Sequence, residues 1–276
     1  MTVRVPVTVL VLAALLLAGC SAGAAPVAAW HRAGHATGRT AAPGTPGTPG
    51  TPGIPGTPGE LAQWLARLPQ FPPVPPPVPV TAAPGPLAPL YHRLPVTQPV
   101  AFLTIDDGWI QDPAGIALMR AANIPFTMFL IAPVAARGRG YFAALRQLGG
   151  VVEDHTVTHP ELRGQPYPVQ RHEICAGADT LAGTFGVRPT LFRPPFGDYD
   201  DTTLRAAHDC GMHAVLHWSE TVNDGVVRYQ TAEHRVQPGD VILMHFRATF
   251  LADVVAALTA IHAAGLTPAL LENYLP

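Results

Sequence analysis

From residue 96 onward, short apolar runs alternate with segments that have the pattern of helices. The runs that we predict as strands are 99–105, 126–131, 151–153, 190–192, 212–216, 241–244 and 267–271. The segments that we predict as helices are 113–122, 141–148, 168–185, 201–210 and 250–264. A repeated strand–helix order predicts a parallel sheet with helices outside it. About 180 residues are enough to build the core of such a sheet, but this is a small number for a full eight-stranded barrel.

The first 20 residues have the features of an export signal. Arg4 precedes an apolar stretch, 7–17, that is too short to span a bilayer comfortably. It ends in Leu-Ala-Gly-Cys, which resembles a bacterial lipoprotein processing site. We therefore expect residues 1–20 to be a lipoprotein signal peptide and Cys20 to carry lipid, with an ordinary cleaved signal peptide as the alternative. The exported chain would then be anchored at the outer face of the bacterial cytoplasmic membrane.

Residues 21–95 have the composition of a spacer. Gly-Thr-Pro triplets run through 43–59, and a second proline-rich segment covers 71–79. Proline at this density favours extended polyproline conformations. Between the two, residues 60–68 predict a short helix with one apolar face, which either docks on the domain, stays disordered or lies on a membrane. We predict a disordered linker over 21–95 with this one helix, and a folded domain over 96–276.

Charge and cysteine content limit the function classes. All 17 basic residues are Arg, and the formal net charge is −2. A chain without an excess of positive charge is not expected to bind nucleic acid. Apart from Cys20, the cysteines are Cys175 and Cys210, an even pair in a chain expected outside the cytoplasm. They either form a disulfide or remain two buried thiols.

Polar residues suited to chemistry follow the strand candidates. Asp106 and Asp107 follow the first, His155 the third and Arg193 the fourth, and His245 ends the sixth. The C-terminal ends of parallel strands meet at one rim of the sheet. These residues, far apart in sequence, are therefore expected to converge.

One aspartate and two histidines can supply three ligands to a zinc-like ion and leave positions open for water and substrate. His155 and His159 are four residues apart, a spacing that puts two imidazoles on one face of a helical turn. Asp107 is the third candidate ligand, and Asp154 and Thr158 are candidates for orienting the histidines. The alternative for the aspartate pair is a turn in which the side chains cap backbone amides.

Proton transfer needs further groups. Asp106 can stay ionised as a base if Arg193 lies beside it, because the guanidinium fork suits a carboxylate. The alternative for Arg193 is a pair with an acidic surface residue. His245 is a candidate general acid, whereas a lone histidine after a strand is more often structural.

Four segments together resemble the motifs of the polysaccharide deacetylases of carbohydrate esterase family 4, which include chitin and peptidoglycan deacetylases. They are Thr-Ile-Asp-Asp-Gly (104–108), His-Thr-Val-Thr-His (155–159), Arg-Pro-Pro-Phe-Gly (193–197) and Leu-Met-His-Phe (243–246). The resemblance covers residues 97–272. It implies an α/β fold, a distorted and incomplete (β/α) barrel of about seven parallel strands. It also implies a divalent metal, usually zinc, with cobalt or nickel as alternatives.

Carried over by motif, the resemblance gives each polar residue a role. The base is Asp106, the residue that orients it is Arg193, the acid is His245, and the metal ligands are Asp107, His155 and His159. The implied reaction is hydrolysis of N-acetyl groups on an amino-sugar polymer such as peptidoglycan or a chitin-like glycan, with release of acetate. An O-acetyl carbohydrate esterase with the same site, or an inactive wall-binding lipoprotein, is the alternative. We expect a polysaccharide partner and a monomer.

The sequence departs from the family pattern most seriously in two places. The usual Asp-rich, Trp-ending motif is represented only by 218–225, and His245 is followed by Phe instead of Asp. Asp224 matches one acidic position and is expected to tune His245. Three aromatic side chains are candidates for contact with a sugar: Phe196, Trp109 and Trp218. The alternative for the two tryptophans is a position in the core.

Overall fold

The computed structural model describes residues 58–82 and 85–275. Ten strands in this part of the chain form one curled sheet: β1 (Leu90–Tyr91), β2 (Val100–Asp107), β3 (Phe126–Leu130), β4 (Gly150–Asp154), β5 (Leu191–Phe192), β6 (Ala214–Leu216), β7 (Glu220–Asn223), β8 (Val226–Tyr229), β9 (Val241–His245) and β10 (Thr267–Ala269). Their order is β1-β6-β5-β4-β3-β2-β9-β7-β8, with β10 beside β2. Only the β7–β8 pair among them is antiparallel.

The barrel is incomplete, as predicted. Strand β2 pairs with β9 along one side, and on the other side it pairs first with β10 and then, from Thr104, with β3. Strands β1 and β8 stand at the two ends of the strand order. The parallel strands therefore curl without closing, and their C-terminal ends share one rim.

Alternation along β2 decides which side chains face the interior. Leu103 and Ile105 belong to the apolar layer between the sheet and the helices, whereas Val100 and Phe102 belong to the interior cluster. Because successive strand residues point to opposite faces, Asp106 shares the interior face with Phe102. The C-terminal residues Leu271, Tyr274 and Leu275 fill the same interior cluster.

The helices are α1 (Pro58–Leu65), α2 (Pro113–Ala122), α3 (Ala132–Arg137), α4 (Arg139–Arg146), α5 (Tyr167–Phe185), α6 (Asp201–Asp209) and α7 (Phe250–Ala263). Side-chain caps explain where two of these helices begin. At the start of α2 the Asp112 side chain accepts from the Ala114 amide, and at the start of α6 Asp200 forms a capping box with Thr203. No helix in the described part of the chain is long and apolar enough to cross a membrane. A disulfide joins Cys175 of α5 to Cys210 at the end of α6.

The structure differs from the predicted boundary at residue 96. Helix α1 covers most of the short helix expected over 60–68, and Trp64, Leu65 and Leu68 pack against the core. Strand β1 pairs with β6, and Leu94 is fully buried. The sheet therefore begins inside the predicted linker, because this segment supplies apolar side chains and an edge strand. The predicted signal peptide, Cys20 and the spacer up to residue 57 lie outside the described residues.

Candidate active site

Arg193 holds Asp106 from inside the barrel. Its Nη1 atom lies 2.7 Å from Oδ1 of Asp106 and 2.8 Å from Oγ1 of Thr104, to both of which it donates. The Nε atom of Arg193 donates to the carbonyl oxygen of Leu216 at 3.3 Å, and Nη2 donates to that of His217 at 3.0 Å. Burial lowers the pKa of Arg193 and the charge of Asp106 opposes the change, so the guanidinium remains charged. The predicted clamp on Asp106 is therefore present in the structure.

The sequence analysis did not identify the other partners of Arg193. Thr104 could have been found, because it precedes Asp106 by two residues and so lies on the same face of β2. The carbonyl groups of Leu216 and His217 could not have been found, because every residue has a backbone carbonyl whatever its side chain. The ring of Phe129, 4.3 Å from Cζ of Arg193, completes the surroundings of the guanidinium.

Asp107, His155 and His159 form a second cluster beside this pair. Oδ1 of Asp107 lies 3.5 Å from Nε2 of His155 and 3.4 Å from Nε2 of His159. The three ligand atoms all lie within 4.8 Å of one another. Nδ1 of His155 bonds to the carbonyl oxygen of Arg193 at 2.7 Å, so it carries the proton and leaves Nε2 as the lone-pair nitrogen. The structure therefore brings together the three residues predicted as metal ligands.

The charge of this cluster suits a cation. Burial alone would raise the pKa of Asp107, but the neighbouring imidazoles of His155, His159 and His245 hold that pKa well below its ordinary value. Oδ1 of Asp107 is buried and has no hydrogen-bond partner in the described part of the chain. A buried carboxylate oxygen beside two imidazole nitrogens is a donor set that zinc and similar ions accept.

The two histidines do not lie on a helical turn, and that prediction is wrong. Residues 155–159, which we call the ligand loop, follow β4 as irregular backbone. Thr156 and His159 have positive φ values of 72° and 60°. Such conformations cost about 1–3 kcal/mol each in residues other than glycine. The loop, rather than helical spacing, brings the two imidazole rings to a centroid distance of 4.9 Å.

His245 is the last residue of β9, directly beside Asp106 in the register of the sheet. Burial lowers the pKa of His245, and the charge of Asp106 only partly opposes this change. The imidazole is therefore mostly neutral at neutral pH. Its Nδ1 atom is buried and lacks a hydrogen-bond partner among residues 58–82 and 85–275.

Asp224 does not bond to Nδ1 of His245, contrary to the expectation that it tunes this histidine. It lies exposed in the turn between β7 and β8, where Asp224 and Gly225 have φ values of 56° and 71°. Positive φ at both positions is typical of the two-residue Asp-Gly hairpin. In the same hairpin, Asn223 accepts a hydrogen bond of 2.7 Å from Arg247. Asp224 is therefore part of the hairpin turn.

Two of the three aromatic candidates are available to a ligand. Trp109 is 59% exposed and Phe196 is 65% exposed, and the Phe196 ring lies 4.6 Å from that of His159. Trp218 is half-buried and stacks on His217 at a centroid distance of 4.0 Å. The Trp218 ring centroid also lies 6.0 Å from Cζ of Arg193, whereas Trp109 and Phe196 lie at the surface.

Comparison with known proteins gives the family. The family model described as polysaccharide deacetylase matches residues 93–215. An uncharacterized protein of Streptomyces coelicolor is 42% identical over 194 residues, covering 68% of this chain and 78% of that protein. A peptidoglycan-N-acetylglucosamine deacetylase of Bacillus cereus is 28% identical over 150 residues, covering 52% of this chain and 54% of the relative.

A solved structure supports the fold. It is a CE4 family pseudoenzyme from Bacillus anthracis, 17% identical, with a TM-score of 0.60 and coverage of 68% of this chain and 69% of that one. Likeness at this level of identity concerns the fold alone. The model match and the S. coelicolor relative, together with the four motifs in order, show that this chain belongs to the polysaccharide deacetylase family.

Proposed function

We propose that this chain is a metal-dependent hydrolase that removes N-acetyl groups from an amino-sugar polymer containing N-acetylglucosamine. The observation that carries the proposal is the position of Asp106, clamped by Arg193, directly beside the cluster of Asp107, His155 and His159. The printed name of the B. cereus relative supports the choice of N-acetylglucosamine polymers.

Asp107, His155 and His159 would hold the ion. Zinc is the first choice because carboxylate and imidazole ligands suit it, with cobalt or nickel as alternatives. When bound, such an ion supplies Lewis-acid chemistry, polarising a carbonyl and lowering the pKa of water. The strongly lowered pKa of Asp107 means that this ligand is already ionised over the whole range of physiological pH.

Asp106 is placed to accept the proton of the attacking water. Arg193 occupies Oδ1, which leaves Oδ2 as the basic oxygen, 3.8 Å from Nε2 of His155. The oxygen that takes the proton is therefore the one that faces the ligand cluster. Arg193 orients this carboxylate and does not itself transfer a proton.

His245, which lies beside Asp106 on the neighbouring strand, would protonate the departing nitrogen. Because its lowered pKa leaves the imidazole mostly neutral, His245 would take up a proton from solvent before it donates one. Asp106, its neighbour across the strands, raises the affinity of His245 for that proton. The two residues thus form a base and an acid on adjacent strands.

The test is acetate release by the purified chain from N-acetylglucosamine oligomers, peptidoglycan and O-acetylated sugars. Chelation should abolish release from the amide substrates, and zinc should restore it. An Asp106→Asn variant should lose this activity, whereas Asp201→Asn, a change of the same kind at an exposed position in α6, should retain it.

Other outcomes identify the alternatives. Release only from esters would replace the proposal by an O-acetyl esterase. Binding to glycan without turnover of any substrate would replace it by a wall-binding protein. Undiminished activity after complete removal of metal would refute metal dependence.

We propose in addition that the chain is exported and anchored through lipid on Cys20. The support is the sequence alone, namely the apolar stretch 7–17 followed by Leu-Ala-Gly-Cys. Fractionation of bacteria that express the whole chain tests it. The chain should be found with the membrane, and a Cys20→Ala variant should not carry lipid.

A further inference from the structure

The ligand loop is held in an unusual conformation. Thr156 has a φ of 72°, which is a rare value for a β-branched side chain, and His159 has a φ of 60°. Inside the loop, Oγ1 of Thr156 accepts from the amide of His159 at 3.0 Å. A strained backbone persists only where its surroundings hold it in place. The groups that hold this loop therefore decide where His159 lies.

Glu173 of α5 binds the middle of the loop with both carboxylate oxygens. Oε2 accepts from the amides of Val157 and Thr158 at 3.1 and 2.8 Å, and Oε1 accepts from the hydroxyl of Thr158 at 2.8 Å. The side chain is 7% exposed, so water competes little for these bonds. Hydrogen bonds to a carboxylate are shorter and stronger than those between neutral groups.

The same face of α5 contacts the loop one turn further along. Gly177 follows Glu173 by four residues and so lies above it on one helix face. A Cβ atom at Gly177 would overlap Oδ1 of Asp154 and lie 3.2 Å from the carbonyl carbon of Thr156. That Asp154 oxygen accepts from the amide of Thr156 at 3.1 Å. The helix therefore touches the start of the loop with backbone and its middle with Glu173.

We propose that Glu173 is a positioning residue for the metal site. Among the described residues, no hydrogen bond or ion pair joins Glu173 to Asp107 or to the two histidines. It acts by fixing Val157 and Thr158, the residues between Thr156 and His159. Without the carboxylate, two amides and one hydroxyl lose their partner, and the loop can leave its strained conformation. Nε2 of His159 would then move from its place 3.4 Å from Oδ1 of Asp107. This inference rests on the proposed metal-dependent function.

The test compares zinc affinity in the full chain for wild type and Glu173→Gln, by competition with a chromophoric chelator. Glutamine keeps the size of the side chain but has one acceptor oxygen and turns an NH₂ group toward a donor. We expect zinc affinity to fall by about 10–100-fold, as it does when groups that orient metal ligands are removed. The thermal midpoint of the metal-free protein shows whether the variant folds like wild type.

The control is Glu161→Gln. Glu161 is exposed and follows His159 by two residues, so this change removes a negative charge near the cation without touching the bonds of Glu173. It should leave zinc affinity within about twofold of wild type, since exposed charges are screened by solvent and salt. An equal fall in both variants would mean that charge alone accounts for the effect and would overturn the proposal.

A second variant covers the case in which Glu173→Gln does not fold. Thr158→Ala removes only the hydroxyl bond to Oε1 at an exposed position, and zinc affinity should fall several-fold. A folded Glu173→Gln with wild-type affinity, or an unfolded one accompanied by a Thr158→Ala variant with wild-type affinity, overturns the positioning role. A wild-type chain that binds neither zinc nor cobalt nor nickel would refute the metal-dependent function, and with it this inference.

Discussion

Glu220 provides a prediction about stability that can be worked out from the structure. It is the first residue of β7, fully buried, and lies against the fully buried Asp240, which also pairs with Arg93. Apart from Asp240, neither carboxyl oxygen of Glu220 has a hydrogen-bond partner among the described residues. Burial, followed by the neighbouring Asp240, raises the pKa of Glu220 from 4.5 to about 9, while Arg93 opposes the change. Glu220 is therefore protonated at neutral pH in the folded state.

This raised pKa lowers stability as pH rises. Below pH 4.5 both states hold the proton; between pH 4.5 and about 9 the unfolded state releases it and the folded state keeps it, so the free energy of unfolding falls. At pH 7 the full shift would correspond to about 3 kcal/mol, because each pKa unit is worth roughly 1.4 kcal/mol. Relaxation of the protein and water around the pair reduces this figure. We expect an effect of about 1–2 kcal/mol at pH 7.

The perturbation is Glu220→Gln, which keeps the size of the side chain and the neutral, hydrogen-donating character of the protonated acid. Urea unfolding of wild type and variant at pH 5, 7 and 8.5 gives the free energy of unfolding of each. Relative to wild type, the variant should gain about 1–2 kcal/mol between pH 5 and pH 7, and more at pH 8.5. Other buried carboxyl groups, such as Glu153, titrate in both proteins and cancel. Glu233→Gln, at an exposed position, should follow wild type at each pH. Parallel pH dependences for wild type and Glu220→Gln would refute the reasoning.

Other predictions concern the disulfide, His245 and the exposed Trp109. Replacing Cys175 and Cys210 by Ala should lower the free energy of unfolding by about 4 kcal/mol, because the bridge joins residues 35 apart; an unchanged urea midpoint would contradict this. His245→Ala should lower kcat by about 100-fold or more, whereas Asp224→Asn should stay within about twofold; equal losses would place Asp224 in the reaction. Trp109→Ala should raise KM for the polymer while the free energy of unfolding stays within about 0.5 kcal/mol, as for other exposed side chains.

Much of the fold was predictable because the local patterns are strong. Largely buried strands such as Phe126–Leu130 and Val241–His245 are mostly apolar runs, and Pro113–Ala122 carries a helix start that the sequence shows directly. Strands Glu220–Asn223 and Val226–Tyr229 were missed, although the Asp-Gly pair between them is a hairpin signal. Two other missed elements give weak signals. Strand Leu90–Tyr91 has two residues and lies in a proline-rich segment, and helix Ala132–Arg137 follows a strand without a loop.

The candidate site was predictable in its members and less so in its geometry. Asp107, His155 and His159 were expected together because each follows a strand of a parallel sheet, and the structure brings them together. Their loop conformation was not expected, since a spacing of four residues is compatible with a helical turn as well as with a strained loop. The order of the motifs led us to expect Asp224 beside His245, but Asp224 lies in an exposed turn.

The sequence by itself determined the α/β class, the end of the sheet that carries the polar residues, and the residue types that can bind a metal and move protons. These follow from local periodicity and from the chemistry of single side chains. Only the tertiary structure decided that Arg193 reaches Asp106 from the barrel interior, that Cys175 meets Cys210, and that α5 holds the ligand loop through Glu173. The physical reason is that these contacts join residues 15 to 87 positions apart, so they depend on how strands and helices pack and leave no periodic trace in the sequence.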